Sequence, residues 1–191
     1  MGRHRGYDEG TVLTGAMHAF RRSGYAGVSV RELEAATSLS AGSLYHAYGG
    51  KAELFDEAFR HYNTEVLQRR IDRFAPPGSG PEGLRELFRS MLHEPDGRRL
   101  GCLITNSAVE FGSDAVHPQV SEGFAVLERT FADRLGESVG KTWSEERRRS
   151  AATRLLALYQ GVLVLVRGGH DLAAVDAMVV SEFDGLTRRG R

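Results

Sequence analysis

The sequence predicts an all-α protein. Three observations carry that prediction. Apolar residues recur at three- and four-residue spacing along most of the chain. Good N-capping residues (Asp8, Ser29, Ser40, Ser144) stand just before the periodic runs. No stretch reads convincingly as a strand, and there is no internal repeat or low-complexity tract.

The elements follow in order. A first helix is expected over about 8–23, with Val12, Ala16, Met17 and Phe20 on one face, Asp8 as cap and Gly24 as stop. A second, about 30–37, aligns Val30, Leu33 and Ala36. A third, about 41–48, contributes Leu44 and Tyr48. A fourth starts near Lys51 and turns Leu54, Phe55, Ala58, Tyr62 and Val66 inward. Ala75-Pro76-Pro77-Gly78-Ser79-Gly80-Pro81 breaks the helical pattern. Helices are then expected over about 82–93, 101–111 and 119–138, with a turn at Pro95-Asp96-Gly97 and a loop over 112–118. Ser144, followed by Glu145 and Glu146, suits a helix start: the hydroxyl caps and the acids complement the helix dipole. That helix runs to about 167, and the last spans about 171–187. The tail Arg188-Arg189-Gly190-Arg191 is expected to fray.

Composition narrows the function classes. The chain has 191 residues, enough for one large or two small domains with a substantial core. Apolar residues are 41% and charged residues 26%, and the formal net charge is zero, so any basic surface must be local. Cys102 is the one cysteine, which excludes an intrachain disulfide and fits a reducing compartment. No apolar run is long enough to span a bilayer and no signal-peptide pattern occurs, so a cytoplasmic location is expected. There is no G-x-S-x-G, no metal helix at His93-Glu94, and no P-loop at Gly49-Gly50-Lys51. Neither an enzyme activity nor a cofactor is expected, and His117 and His170 are expected to be incidental.

The informative stretch is 29–50. Ser29 and Glu32 form a capping-box pattern, so a helix starts sharply there. Ser38-Leu39 makes a turn, and Ser40 can cap the helix that follows. The first turn of that helix, Ala41-Gly42-Ser43, is small and could approach another molecule closely. Two short helices joined by a tight turn match a helix-turn-helix, whose second helix enters the DNA major groove.

From about 5 to 65 the residues resemble the tetracycline-repressor (TetR) family of transcriptional regulators. The resemblance rests on Ala19-Phe20, Gly24-Tyr25, Ser29-Val30, Glu32-Leu33, Ala36, Ser40, Gly42, Ser43-Leu44-Tyr45, Tyr48, and Lys51 with Glu53-Leu54. It implies a three-helix DNA-binding domain over 1–66, including the start of a connecting fourth helix, and a helical effector-binding and dimerisation domain over 67–191, about nine helices in all. It further implies a homodimer on a (pseudo)palindromic double-stranded operator, acting as a repressor released by a small-molecule effector. Carried across by position, Ser29 and Tyr45 would contact phosphate. Ser40, Ala41, Gly42 and Ser43 would face the groove, and His46 would lie near base edges or backbone. Lys51 would pair with a phosphate, Arg31 would add a backbone contact, and Arg3 and Arg5 would form a flexible arm.

This chain departs from the family pattern at Ala41, Ala47 and Gly49-Gly50. Its recognition helix holds no Arg or Lys, so the bidentate arginine–guanine contact is absent from it. Specificity is expected to rest on hydroxyls, methyl groups, His46 and DNA shape.

In the body, the resemblance implies that the last two helices pair with a second subunit. The apolar residues of the helix that begins after Ser144 cover more than one face, which a single core cannot use. Leu155, Leu158, Val162, Val166, Val175, Val179 and Phe183 are the expected interface. Cys102, Asn106 and Glu110 share a face at i, i+4 and i+8. With Met91, Phe124, Leu127 and Tyr159 they form the candidate lining of an effector pocket. No metal site is expected.

Overall fold

The computed structural model describes residues 7–93, 100–112, 117–138 and 141–189. Its elements are α1 (Glu9–Gly27), α2 (Val30–Thr37), α3 (Ala41–Tyr48), α4 (Lys51–His61), α5 (Gln68–Phe74), α6 (Gly80–Ser90), α7 (Leu103–Phe111), α8 (Pro118–Gly136), α9 (Glu145–Arg167) and α10 (Leu172–Arg189). The backbone stays helical from α4 into α5 through a π-helical turn, Tyr62–Leu67, so the described residues form nine helical rods and no strand. None of these helices is long and apolar enough to cross a membrane.

The chain divides into two compact units, one taking residues 1–66 with 102–120 and the other 67–101 with 121–191. The first therefore holds α1 to α4 and also α7.

In the first unit the caps read from sequence are in place. The Asp8 carboxylate accepts from Thr11 N at 2.7 Å, and hydrogen bonding from the Thr11 side chain, then from its backbone N–H, holds the Asp8 pKa below the ordinary value. Gly24 breaks α1 with φ 76°, a left-handed conformation that favours glycine. α1 packs against both α2 and α4. Gly15 makes the α2 crossing possible: a Cβ there would lie 2.0 Å from the carbonyl oxygen of Ala36. The core beneath is aromatic. Phe20 meets Phe55 edge-on at 4.9 Å, and Tyr25 and Phe111 lie 5.1 and 5.7 Å from Phe55.

One register differs from the periodic expectation. Four-residue spacing from Tyr62 predicts Val66 inward, yet Val66 is half-buried and Leu67 is buried instead. A π turn closes its hydrogen bonds over five residues rather than four. It therefore advances the inward stripe by one position, and Ile71 continues it at the usual spacing of four.

The second unit is built around Phe88, whose ring lies 5.1 Å from Tyr159, 5.2 Å from Phe183 and 5.7 Å from Phe131. The proline-rich break after α5 is held by Glu137, which accepts from Gly78 N (2.9 Å) and Gly80 N (2.8 Å) and pairs with Arg134. Burial alone would raise the Glu137 pKa; the two amides and Arg134 outweigh it and lower it.

The expected subunit face needs correction. Leu155, Val162, Val175, Val179 and Phe183 are at most 4% exposed in the single chain, so they cannot also cover a partner. The periodic pattern shows that α9 is apolar on more than one side, but not which side its own core takes. Ala151, Ala152, Leu155, Tyr159, Val162 and Leu163 take the inward face. Val164 (56% exposed), Ala157 and the half-buried Leu158, Gly161, Leu165 and Val166 remain outside. A Cβ at Gly161 would meet nothing within 4 Å. Of the residues expected at the interface, Leu158 and Val166 are thus still accessible.

Candidate nucleic-acid interface

The interface is set by how α2 and α3 are pinned together. Ser29 begins α2 with a complete capping box. Its hydroxyl accepts from Glu32 N at 3.2 Å, and Glu32 Oε2 accepts from Ser29 N at 2.8 Å. The bond from Ser29 N, then the Ser29 hydroxyl, then that of Ser23 hold the Glu32 carboxyl below its ordinary pKa. The Ser23 hydroxyl donates to Glu32 Oε1 at 3.1 Å and so ties α1 to α2.

The turn passes through Ser38 in the left-handed conformation, φ 59°. Thr37, buried beneath it, donates to Leu33 O at 2.7 Å. Two side chains then cap α3. Ser40 Oγ accepts from Ser43 N at 3.3 Å, and Glu34 Oε1 reaches from α2 to accept from Ala41 N at 2.7 Å. Leu44 is 1% exposed and fixes α3 to the core.

With Leu44 inward, the opposite face of α3 is open. Gly42, Ser43 and His46 are exposed, as is Ser40 before them, while Ala41 and Tyr45 are half-buried. A Cβ at Gly42 would meet nothing within 4 Å. These are adjacent positions on one helical face. The face is small, carries hydroxyls and an imidazole, and lacks a fixed cation. Ser29 and Arg31 are exposed at the start of α2. Arg3 and Arg5 lie outside the described residues.

Lys51 is engaged within the chain. Its ammonium donates to Val28 O at 2.7 Å and lies 5.2 Å from the centre of the Tyr25 ring. It thereby holds the link between α1 and α2 just before Ser29. An ammonium has three donors, so this bond leaves capacity for a phosphate oxygen.

The candidate effector residues fall in two places. Cys102, Asn106 and Glu110 belong to the first unit; Met91, Phe124, Leu127 and Tyr159 belong to the second. The buried Cys102 thiol lies 3.1 Å from the Tyr62 hydroxyl, and Asn106 donates to Arg21 O at 3.0 Å. Glu110 accepts from Tyr25 N at 2.8 Å and Ala26 N at 2.7 Å, satisfying the backbone where Gly24 breaks α1. Asn106 and Glu110 thus hold α7 on α1, while Cys102, just before α7, reaches the π turn that follows α4. Met91, Leu127 and Tyr159 are core residues, with Phe124 half-buried.

The Glu34 cap on α3, the Glu110 bonds to α1 and the Lys51–Val28 bond were not found by sequence reasoning, since each spans elements and leaves no local pattern. His117, expected to be incidental, is half-buried between Phe59 and Phe111, 5.5 Å from each ring, and pairs with Asp56 at 2.7 Å. Among the described residues there is no cluster of side chains suited to hold a metal ion.

A sequence profile for the bacterial regulatory proteins of the tetR family matches residues 12–58, which covers most of α1 through α4 up to Ala58. YezE, an HTH-type transcriptional regulator of Bacillus subtilis (strain 168), is 34% identical over 113 residues, 58% of each chain. AcnR, an HTH-type transcriptional repressor of Corynebacterium jeikeium (strain K411), is 44% identical over 85 residues, 44% of this chain and 40% of that one. The alignments thus span about half the length of these curated relatives. Among solved structures, the TetR-family regulator CifR, a cysteine mutant complexed with 26-base-pair operator DNA, superimposes with TM-score 0.79 at 28% identity. That match covers 96% of this chain and 98% of CifR. A TetR-family regulator of Cytophaga hutchinsonii shares the fold alone, with TM-score 0.77 at 19% identity and 96% and 97% covered.

Proposed function

Because this chain belongs to the TetR family of bacterial regulatory proteins, we propose that it is a DNA-binding transcriptional regulator. It acts as a homodimeric repressor that leaves its operator when a small-molecule effector binds. The observation that carries this reading is the open face of α3. Its first turn carries only small side chains, it is capped at its N-terminus by Ser40 and Glu34, and it is anchored from behind by Leu44. Such a helix can slide its backbone close to base edges.

In this reading residues 1–66 carry DNA recognition and 67–191 carry effector binding and dimerisation, with α7 bracing the recognition unit. Ser40, Ala41, Gly42, Ser43 and His46 face the groove. Ser29, Arg31, Tyr45 and Lys51 meet phosphates, joined by Arg3 and Arg5. Phosphate contacts position the protein, and base contacts specify the sequence. The accessible stripe of α9 around Ala157, Gly161 and Val164 meets its copy, so that two recognition helices address a (pseudo)palindromic site. The protein works in the cytoplasm, where DNA is. The reading supposes two body conformations with different operator affinity, and an effector that prefers the weaker-binding one. Selection of bound fragments from the source genome by the purified chain tests it. Recovered sites should share a symmetric motif; recovery of fragments without one would overturn it.

A further inference from the structure

We propose that Arg22, near the end of α1, binds a DNA phosphate and works there with Arg31 at the start of α2. The inference rests on the DNA-binding reading above and adds a cation that no local sequence pattern marks out.

Five Arg and Lys side chains lie among the described residues of the first unit: Arg21, Arg22, Arg31, Lys51 and Arg60. Three of them are engaged. Arg21 is 7% exposed and has interactions of its own. Lys51 donates to Val28 O, and Arg60 pairs with Glu57. Arg22 and Arg31 are exposed, and among the described residues neither has a hydrogen bond or a salt bridge. They are the cations this unit leaves uncommitted.

The two flank one spot. The hydroxyl of Ser23, the residue after Arg22, donates to Glu32 Oε1 at 3.1 Å, and Glu32 Oε2 accepts from Ser29 N. The end of α1 is thereby tied to the start of α2, where Arg31 precedes Glu32. Charge decides what this spot can bind. Ser29, where the resemblance implies a phosphate, turns both its N–H and its hydroxyl to Glu32 Oε2, each at 2.8 Å. The bond from Ser29 N, then the hydroxyls of Ser29 and Ser23, keep the Glu32 carboxyl below its ordinary pKa, with a smaller pull from Arg22. Glu32 therefore carries its charge at neutral pH and by itself would repel DNA. Glu110 and Lys51, of opposite sign, are each bonded to the backbone of the same α1–α2 link. The cations left to offset Glu32 are Arg22 and Arg31. Their guanidinium forks match phosphate oxygens in bidentate geometry.

The test uses the full chain, a duplex recovered by the genomic selection and a scrambled duplex of equal length, read by fluorescence anisotropy over a salt series. R22Q should bind both duplexes about tenfold more weakly. A phosphate contact carries no sequence information, so preference for the recovered duplex should stay within about twofold. The slope of log affinity against log salt should become shallower by about 1 per subunit, or about 2 for a dimer. R22K keeps the charge and should recover most of that slope. R60Q removes a cation already paired and should leave affinity and slope near the wild type. All three variants should unfold thermally like the wild type. Wild-type affinity and slope in R22Q would overturn the proposal and leave the DNA-binding reading standing. So would equal losses in R22Q and R60Q, which would report general charge. A loss confined to the recovered duplex, or one that R22K does not recover, would also overturn it, as base reading or a structural role. A wild type that binds neither duplex would overturn the DNA-binding reading itself, and this proposal with it.

Discussion

Gly15→Ala should destabilise the protein even though glycine is a poor helix residue. In an exposed helix interior this change gains about 1 kcal/mol. Here the added Cβ would sit 2.0 Å from Ala36 O and 2.9 Å from Ala36 C, both backbone atoms of α2. A methyl carbon and a carbonyl oxygen meet at about 3.3 Å or more, so α1 and α2 must part by roughly 1 Å. Overpacking of this kind costs about 1–3 kcal/mol; with backbone atoms on both sides the upper half of that range applies, which exceeds the helical gain and leaves a net loss of about 1–2 kcal/mol. Because α2 positions α3 through Glu34 and the Thr37 turn, operator affinity should fall about tenfold beyond any unfolding, each 1.4 kcal/mol being a factor of ten. Urea unfolding with unchanged m-value measures the first effect, and fluorescence anisotropy on labelled operator the second. Gly42→Ala is the control: its Cβ meets nothing in the chain, so the fold should hold while DNA approach suffers. A Gly15→Ala protein as stable as wild type would refute the close-crossing argument.

Further outcomes follow from the same contacts. Glu110→Ala removes two charge-assisted bonds to Tyr25 N and Ala26 N and should cost about 1–2 kcal/mol, read by urea unfolding. The Glu137 carboxyl is held below its ordinary value of 4.5. Its contribution should be complete above that pH and be lost as pH falls through the lower folded-state value, so melting curves of Glu137→Gln should converge on wild type in acid. Val164→Glu should give folded monomers in sedimentation equilibrium, whereas Val162→Glu, at a position with no exposure, should unfold; dimeric Val164→Glu would place the subunit contact elsewhere. If a dimer neutralises about six phosphates, affinity should drop roughly a thousandfold between 50 and 200 mM salt, and a flat response would exclude that grip.

Much of the recognition unit was legible because its signals are local. Asp8, Gly24, the Ser29–Glu32 box and Ser40 are choices that a short peptide can express, and each does in the fold what its spacing predicts. What stayed hidden depends on other elements. The Val66-to-Leu67 shift needs a π turn, which no residue type announces. Glu34 and Glu110 cap backbone amides 7 and 84 or more residues away in sequence. In the body, apolar periodicity identified α9 and α10 but could not divide their residues between the chain's own core and a partner. Leu155 and Val162 are expected at the subunit face by periodicity, yet both are buried within the single chain.

The central claim is that the open face of α3 reads DNA. The direct measurement compares binding of wild type and the double variant S43A/H46A to a selected operator and to a scrambled duplex of equal length at one salt concentration. The account predicts that wild type prefers the operator by about a thousandfold or more. The variant should lose most of that preference while keeping its fold, its dimer and its weak affinity for scrambled DNA. Undiminished preference in S43A/H46A would contradict it.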